Sequence, residues 1–334
     1  MALGLSGQVD LVNRPLEVSY FINNVCNLAC RHCYVGYEQT DGGLPIREWT
    51  ETFDKLIEMS ALTFGNVGKE PLLSPDKTVA LLRHLASRRD ENPRLRFGLV
   101  TNGTLLHGRV LEEIAAIDPG YLDVSLDGTQ REHDYIRGEG NYERTVENLR
   151  GLPSSLVERV FVSFTLMRHN QGALADLVEE MGSLGFSKFL VSPYVATPGS
   201  RDELGLAEEG VVEFYSGIVS GEGIDFSRLG RTEVILKSDY DAQKGLMDKL
   251  VERGVIDVRN LRMDEYGVVF NEYTQEGSSK VFVNYIPVPE TFSRAVRISH
   301  DGYVSGCLEM FHTDYPERAR GNLREARIEA LLAS

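Results

Sequence analysis

Three cysteines stand within eight residues, Cys26, Cys30 and Cys33, in the spacing C-x-x-x-C-x-x-C. Three thiolates carried by one loop can ligate three irons of a cubane and leave the fourth iron without a protein ligand. A cluster closed by four cysteines serves electron transfer, whereas an open iron can bind and polarise a small molecule. The same residues could instead build a zinc knuckle with His32. That ring lies between two of the ligands, where it hardly reaches the same metal.

The elements that must position these thiols follow from the hydropathy pattern. From residue 16 to about 200, short apolar runs alternate with stretches at helical spacing, which predicts βα units around a parallel sheet. The first run, 16–22, feeds the cysteine loop directly. Further strands are expected at 61–67, 94–103, 120–128, 159–167 and 187–195. Helices are expected on the face of Trp49, Phe53, Leu56 and Ile57, after the cap signal Ser74-Pro75-Asp76, and over 109–117, 142–150 and 171–184. The predicted fold class is α/β, a partial (β/α)6 TIM-like barrel with a C-terminal α+β extension. Sites in such folds gather at the C-terminal ends of the strands. Beyond residue 225 the pattern turns irregular, with a helical stretch at 239–254 and a hairpin expected around 280–304. The expected domains are therefore 1–225 and 226–334.

The cysteine spacing in the first loop of a βα barrel resembles the radical S-adenosylmethionine (SAM) superfamily. The resemblance implies a [4Fe-4S] cluster on Cys26, Cys30 and Cys33, and SAM chelating the open iron. An electron from the cluster would then split SAM into methionine and a 5′-deoxyadenosyl radical that takes a hydrogen atom from substrate. His32 occupies the position where the family often has an aromatic residue near the adenine. Gly68-Lys69-Glu70-Pro71 resembles the family's Gly-Gly-Glu-Pro segment, with Lys69 replacing the second glycine and Glu70 implied to meet the SAM ammonium. Ser125 to Gly128 and His133 to Gly138 look like its ribose- and carboxylate-binding stretch. Ser125 and Arg137 would hold the methionine carboxylate, and Asp127 the ribose or the local turn. Asn102, next to Thr101 and Gly103, together with Thr165, Ser192 and Val195, closes strands and is expected to contact cofactor or substrate, although turn chemistry accounts for Asn-Gly and Ser-Pro equally well.

The tail resembles the extension called SPASM, or twitch in its shorter form: Gly302 precedes Cys307 by five residues, but the flanking cysteines are missing. One thiolate cannot hold a four-cysteine auxiliary cluster. The expectation is a hairpin scaffold that has lost its metal, the other option being unusual ligands such as His300 or His312. Cys307 is then a buried apolar residue or a thiol that donates a hydrogen atom to a substrate radical. The layout resembles aminoglycoside-pathway radical SAM dehydrogenases and epimerases of the spectinomycin type. The expected reaction is oxidation of a secondary alcohol on a small carbohydrate or aminocyclitol in antibiotic biosynthesis. The alternatives are epimerisation with Cys307 as donor, or radical modification of a ribosomal peptide, the latter disfavoured by the twenty-five residues before Cys26.

Bulk properties narrow the partners. A net charge of −15 over 334 residues argues against a nucleic-acid ligand and suits a cationic small substrate. Three of four cysteines packed together do not resemble a disulfide framework, and neither a signal peptide nor a run of about twenty apolar residues occurs. The expectation is a cytoplasmic protein, off the membrane, served by an electron donor such as flavodoxin or ferredoxin.

Overall fold

The helix foreseen around Trp49 forms over Ile46–Glu58 (α1), and its stripe of Trp49, Phe53 and Leu56 is fully buried. Phe53 stands with ring centroids 4.7 Å from Tyr20 and 5.2 Å from Phe64, so Tyr20 and Phe64 face the helix layer. Burying each of the large rings contributes roughly 1.5–3 kcal/mol. Successive residues of a strand point to opposite faces. Glu17 and Ser19 therefore lie on the side of the sheet away from α1.

The computed structural model describes residues 15–33, 43–196, 202–237, 244–285, 295–305 and 319–333. All six expected strands form: Leu16–Tyr20 (β1), Ala61–Asn66 (β2), Arg96–Thr101 (β3), Tyr121–Ser125 (β4), Val160–Leu166 (β5) and Lys188–Pro193 (β6). Helices Pro75–Glu91 (α2), Gly108–Ile117 (α3), Gln130–Arg137 (α4), Asn141–Arg150 (α5), Ser154–Val157 (α6) and Leu174–Ser183 (α7) intervene. Pro75 opens α2 as expected. Ser74 does not cap it with its side chain; the hydroxyl accepts from Asn23 Nδ2 at 3.0 Å instead. The described residues form a mixed α/β fold around parallel strands.

The described residues divide into two compact units. One comprises Pro15–Ser125, Glu143–Val160 and Ser293–Ser334 and carries the cysteine loop; the other comprises Leu126–Tyr142 and Phe161–Phe292. In the cysteine-bearing unit β1, β2, β3 and β4 pair in parallel in that order. On its free side β1 pairs in parallel with Ala295–Ile298 (β11), which forms a hairpin with Tyr303–Ser305 (β12). In the second unit β5, β6 and Glu233–Leu236 (β7) lead to Lys280–Asn284 (β10), which pairs antiparallel with Val269–Thr274 (β9), itself paired antiparallel with Arg262–Met263 (β8). The region 280–304 is thus not one hairpin. Its first strand pairs with β7 and β9 and its second with β1 and β12. The helical stretch expected at 239–254 is described over Lys244–Glu252.

Candidate functional site

The loop after β1 places Cys30 in the interior, with Cys26 and Cys33 half-buried. Its turn is closed by Cys33 N–H donating to the Cys30 carbonyl at 3.2 Å. Cys26 Sγ accepts from Leu28 N–H at 3.4 Å, and Asn102 Nδ2 approaches the same sulfur at 4.0 Å. Burial pushes the Cys26 thiol up; the Leu28 N–H opposes that, while Glu70 and Cys33 add to it. Among the described residues no group of three or more His, Cys, Asp or Glu side chains is placed to hold a single metal ion.

Strand-end residues of β2 and β3 hold this loop. Glu70 is fully buried. Its Oε1 accepts from Leu72 N–H at 3.0 Å and Thr101 Oγ1 at 2.9 Å, its Oε2 from Asn102 N–H at 2.8 Å, and its own N–H donates to Val25. Asn102 reaches across in turn: Nδ2 donates to Asn27 Oδ1 at 2.9 Å, and Oδ1 accepts from the Thr104 N–H and hydroxyl. Asn27 Nδ2 completes the circuit on Thr104 Oγ1 at 2.9 Å. The cysteine loop is tied to β3 through Asn27, a residue that no sequence signal singles out. The Gly68-Lys69 turn is left-handed at both positions, with φ of 83° and 48°. A Cβ at Gly68 would run into the Phe21 ring, so glycine is needed there for space as well as for backbone. Lys69 takes the strain that a second glycine would avoid.

The second unit assembles another set. Asp127, fully buried, accepts from Arg137 Nε at 2.6 Å and from Thr165 N–H at 2.9 Å. Buried Asn170 donates to the carbonyls of Asp127 and Thr165, and Asp127 N–H donates to His133 Nδ1 at 3.3 Å. Asn170 is a further residue for which periodicity carries no signal, because its partner Asp127 lies 43 residues away, whereas His133 belongs to the 133–138 stretch already singled out. Thr165, Ser192 and Val195 are half-buried at or after strand ends, as is His32 within the cysteine loop; Ser125 is buried at the end of β4. Cys307 and His312 lie outside the described residues. Gly302 sits in the β11–β12 turn with φ 98°.

Residues 20–181 match the model of the radical SAM superfamily. The chain carries a radical SAM domain. It is 29% identical over 171 residues to mycofactocin maturase MftC of Mycobacterium ulcerans, covering 49% of this chain and 44% of the relative. It is 31% identical over 173 residues to pre-heme d1 synthase of Dinoroseobacter shibae, covering 51% and 41%. The chain thus spans less than half the length of these relatives. Streptococcus suis SuiB, solved with S-adenosylmethionine, shares the fold at a TM-score of 0.70 and 13% identity, over 96% of this chain and 66% of SuiB.

Radical SAM enzymes use a [4Fe-4S] cluster and SAM, and the donor set of this radical SAM domain suits the cluster. Three thiols are grouped on one loop, and N–H groups point at one sulfur, the outer-shell arrangement that thiolate ligands favour. No described helix is long and apolar enough to cross a membrane.

Proposed function

We propose that Cys26, Cys30 and Cys33 hold the cluster and that this chain cleaves SAM reductively to begin hydrogen abstraction from an organic substrate. The observation that carries the reading is the tethering of the three-thiol loop, through Asn27 and Asn102, to the end of β3. When bound, the cluster supplies one electron to SAM, giving methionine and a 5′-deoxyadenosyl radical. The residues of the chain hold, orient and desolvate around that event. Glu70 positions the β2 and β3 ends and the loop backbone. Because its carboxylate already takes three protein donors, the backbone of Gly68 and Lys69 is the better candidate to face the SAM ammonium. Ser125, Thr165 and Arg137, the last anchored on Asp127, remain our candidates for the rest of SAM, as do His32, Ser192 and Val195.

The carbohydrate or aminocyclitol substrate expected from the layout, and with it antibiotic biosynthesis, has no support among these relatives, whose names speak of mycofactocin maturation and pre-heme d1 synthesis. A biosynthetic substrate of the maturase or heme-synthase kind fits them better than an alcohol oxidation or a Cys307-assisted epimerisation. We retain the residue 225/226 boundary and the SPASM-like tail as proposals. An external one-electron donor of the flavodoxin or ferredoxin type would serve the cluster. Anaerobic reconstitution followed by reduction with SAM present tests the core of this reading. About four irons per chain and release of 5′-deoxyadenosine are expected, both lost in Cys30→Ala. Iron binding without 5′-deoxyadenosine would sink it.

A further inference from the structure

Arg297 is in register with Ser19 across the β1–β11 pair, so the two side chains share the face of the sheet turned away from α1. Its neighbour Ile298 accepts from Phe21 N–H at 2.9 Å, which places Arg297 at the strand end from which the cysteine loop departs. The residue is only 7% exposed, yet neither Nε nor Nη1 has a hydrogen-bond partner. Its ionic neighbour is Glu17, whose Oε1 stands 3.8 Å from Nη1 and whose side chain is 54% exposed. That separation is too long for a hydrogen bond, so both N–H groups stay open.

A guanidinium stays charged at every relevant pH, and its fork matches a carboxylate. Burying it without acceptors is costly, and a bound anion removes the cost. Several cations stand near this strand end, despite the overall charge of −15. Three residues beyond Arg297, burial holds His300 below its ordinary basicity, and the positive charges of Lys77, Arg324 and Lys69 act in the same direction against the pull of Asp301. Tyr121, on the same face, has its pKa pushed up chiefly by burial, with Arg96 and Arg297 acting against that and Glu17 and Asp123 adding to it. Ser19, Arg297 and these cations all belong to the cysteine-bearing unit.

We propose that Arg297 binds a carboxylate of the substrate, which makes the substrate of this radical SAM domain an acid. The assignment rests on the SAM-cleaving reading for its context, although carboxylate binding itself is measurable without turnover. The probe is sodium propionate titrated against propionamide at constant ionic strength, with thermal unfolding of the full chain as readout. At ten times its dissociation constant propionate should raise the midpoint by about 3–6 °C, and propionamide should not. Arg297→Gln should abolish the shift. Should that variant fail to fold, Arg297→Lys, which keeps the charge and loses the fork, should retain less than half of it. Glu17→Gln, which removes the competing anion, should enlarge it. On cluster-loaded protein the propionate shift should add to that of saturating SAM. An equal shift with propionamide, a full shift in Arg297→Gln, or no shift in the unaltered chain would overturn the assignment. So would suppression of the shift by SAM, because the arginine would then serve the carboxylate of SAM itself. If the unaltered chain releases no 5′-deoxyadenosine, the proposed function fails while the propionate result stands.

Discussion

Replacing Glu70 by Gln separates a structural carboxylate from one reserved for the cofactor. The two oxygens serve different backbone donors, Leu72 N–H on Oε1 and Asn102 N–H on Oε2, with Thr101 Oγ1 also on Oε1. Whichever way a Gln amide turns, its NH2 group faces one of those two N–H groups, and the site is fully buried, so water cannot substitute. An orphaned buried donor costs about 1–3 kcal/mol, and loss of charge assistance on the remaining bonds adds about 1 kcal/mol. A total near 3 kcal/mol corresponds to a fall in melting temperature of roughly 6–12 °C for a unit of this size. Calorimetry on the apo-protein, with neither cluster nor SAM present, reads this cost free of any cofactor effect. A melting temperature within about 2 °C of the unaltered chain, together with lost SAM binding, would refute the reasoning and return Glu70 to the ammonium.

Three other perturbations probe the same region and its support. Asn102→Ala removes the links to Asn27 and Thr104, so iron retained after reconstitution and gel filtration should fall at least several-fold, while Thr145→Val, which loses only a bond to the Asn102 carbonyl, should keep it. Lys69→Gly should raise stability by about 0.5–1 kcal/mol in urea titrations, since relief of a left-handed side chain at φ 48° exceeds the added freedom of the unfolded chain. Asp54 on α1 accepts from Arg88 at 2.7 and 2.8 Å and from His84 at 2.8 Å on α2. Burial would raise its pKa, but the bonds from Arg88 and His84 outweigh it and hold the carboxyl below its ordinary 3.8. The stabilisation is therefore present above pH 3.8 and is lost as pH falls from there through the lowered folded-state pKa, so the deficit of Asp54→Asn, about 1 kcal/mol at neutral pH, should shrink in acid-unfolding curves below pH 3.8 and vanish only below that lowered value.

Much of the frame was legible because it is local. Each strand from β1 to β6 announces itself as a short apolar run, and α1 as an apolar stripe repeating every third or fourth residue. The motif order from Cys26 to Arg137 was legible as well, since the spacing of ligands on one loop is a property of the chain. Less of the tail was legible. Whether a strand at 280–284 pairs with its successor or with β7 and β9 depends on partners far away in sequence, and nothing local distinguishes the choices.

Side-chain direction belonged to the tertiary structure altogether. Sequence alone determined that three thiols share a loop after the first strand, and that Glu70, Asn102, Asp127 and Arg137 follow at successive strand ends or in the helix beyond. Only the fold decided that Glu70 turns onto Thr101 and Asn102, that Asn102 reaches Asn27 beside Cys26, and that Arg137 leans on Asp127. It decided, too, that β11 returns beside β1 and carries Arg297 into the interior. The physical reason is the same in each case. A buried polar group must find its partner wherever the chain brings one, and that partner is chosen by packing across dozens of residues.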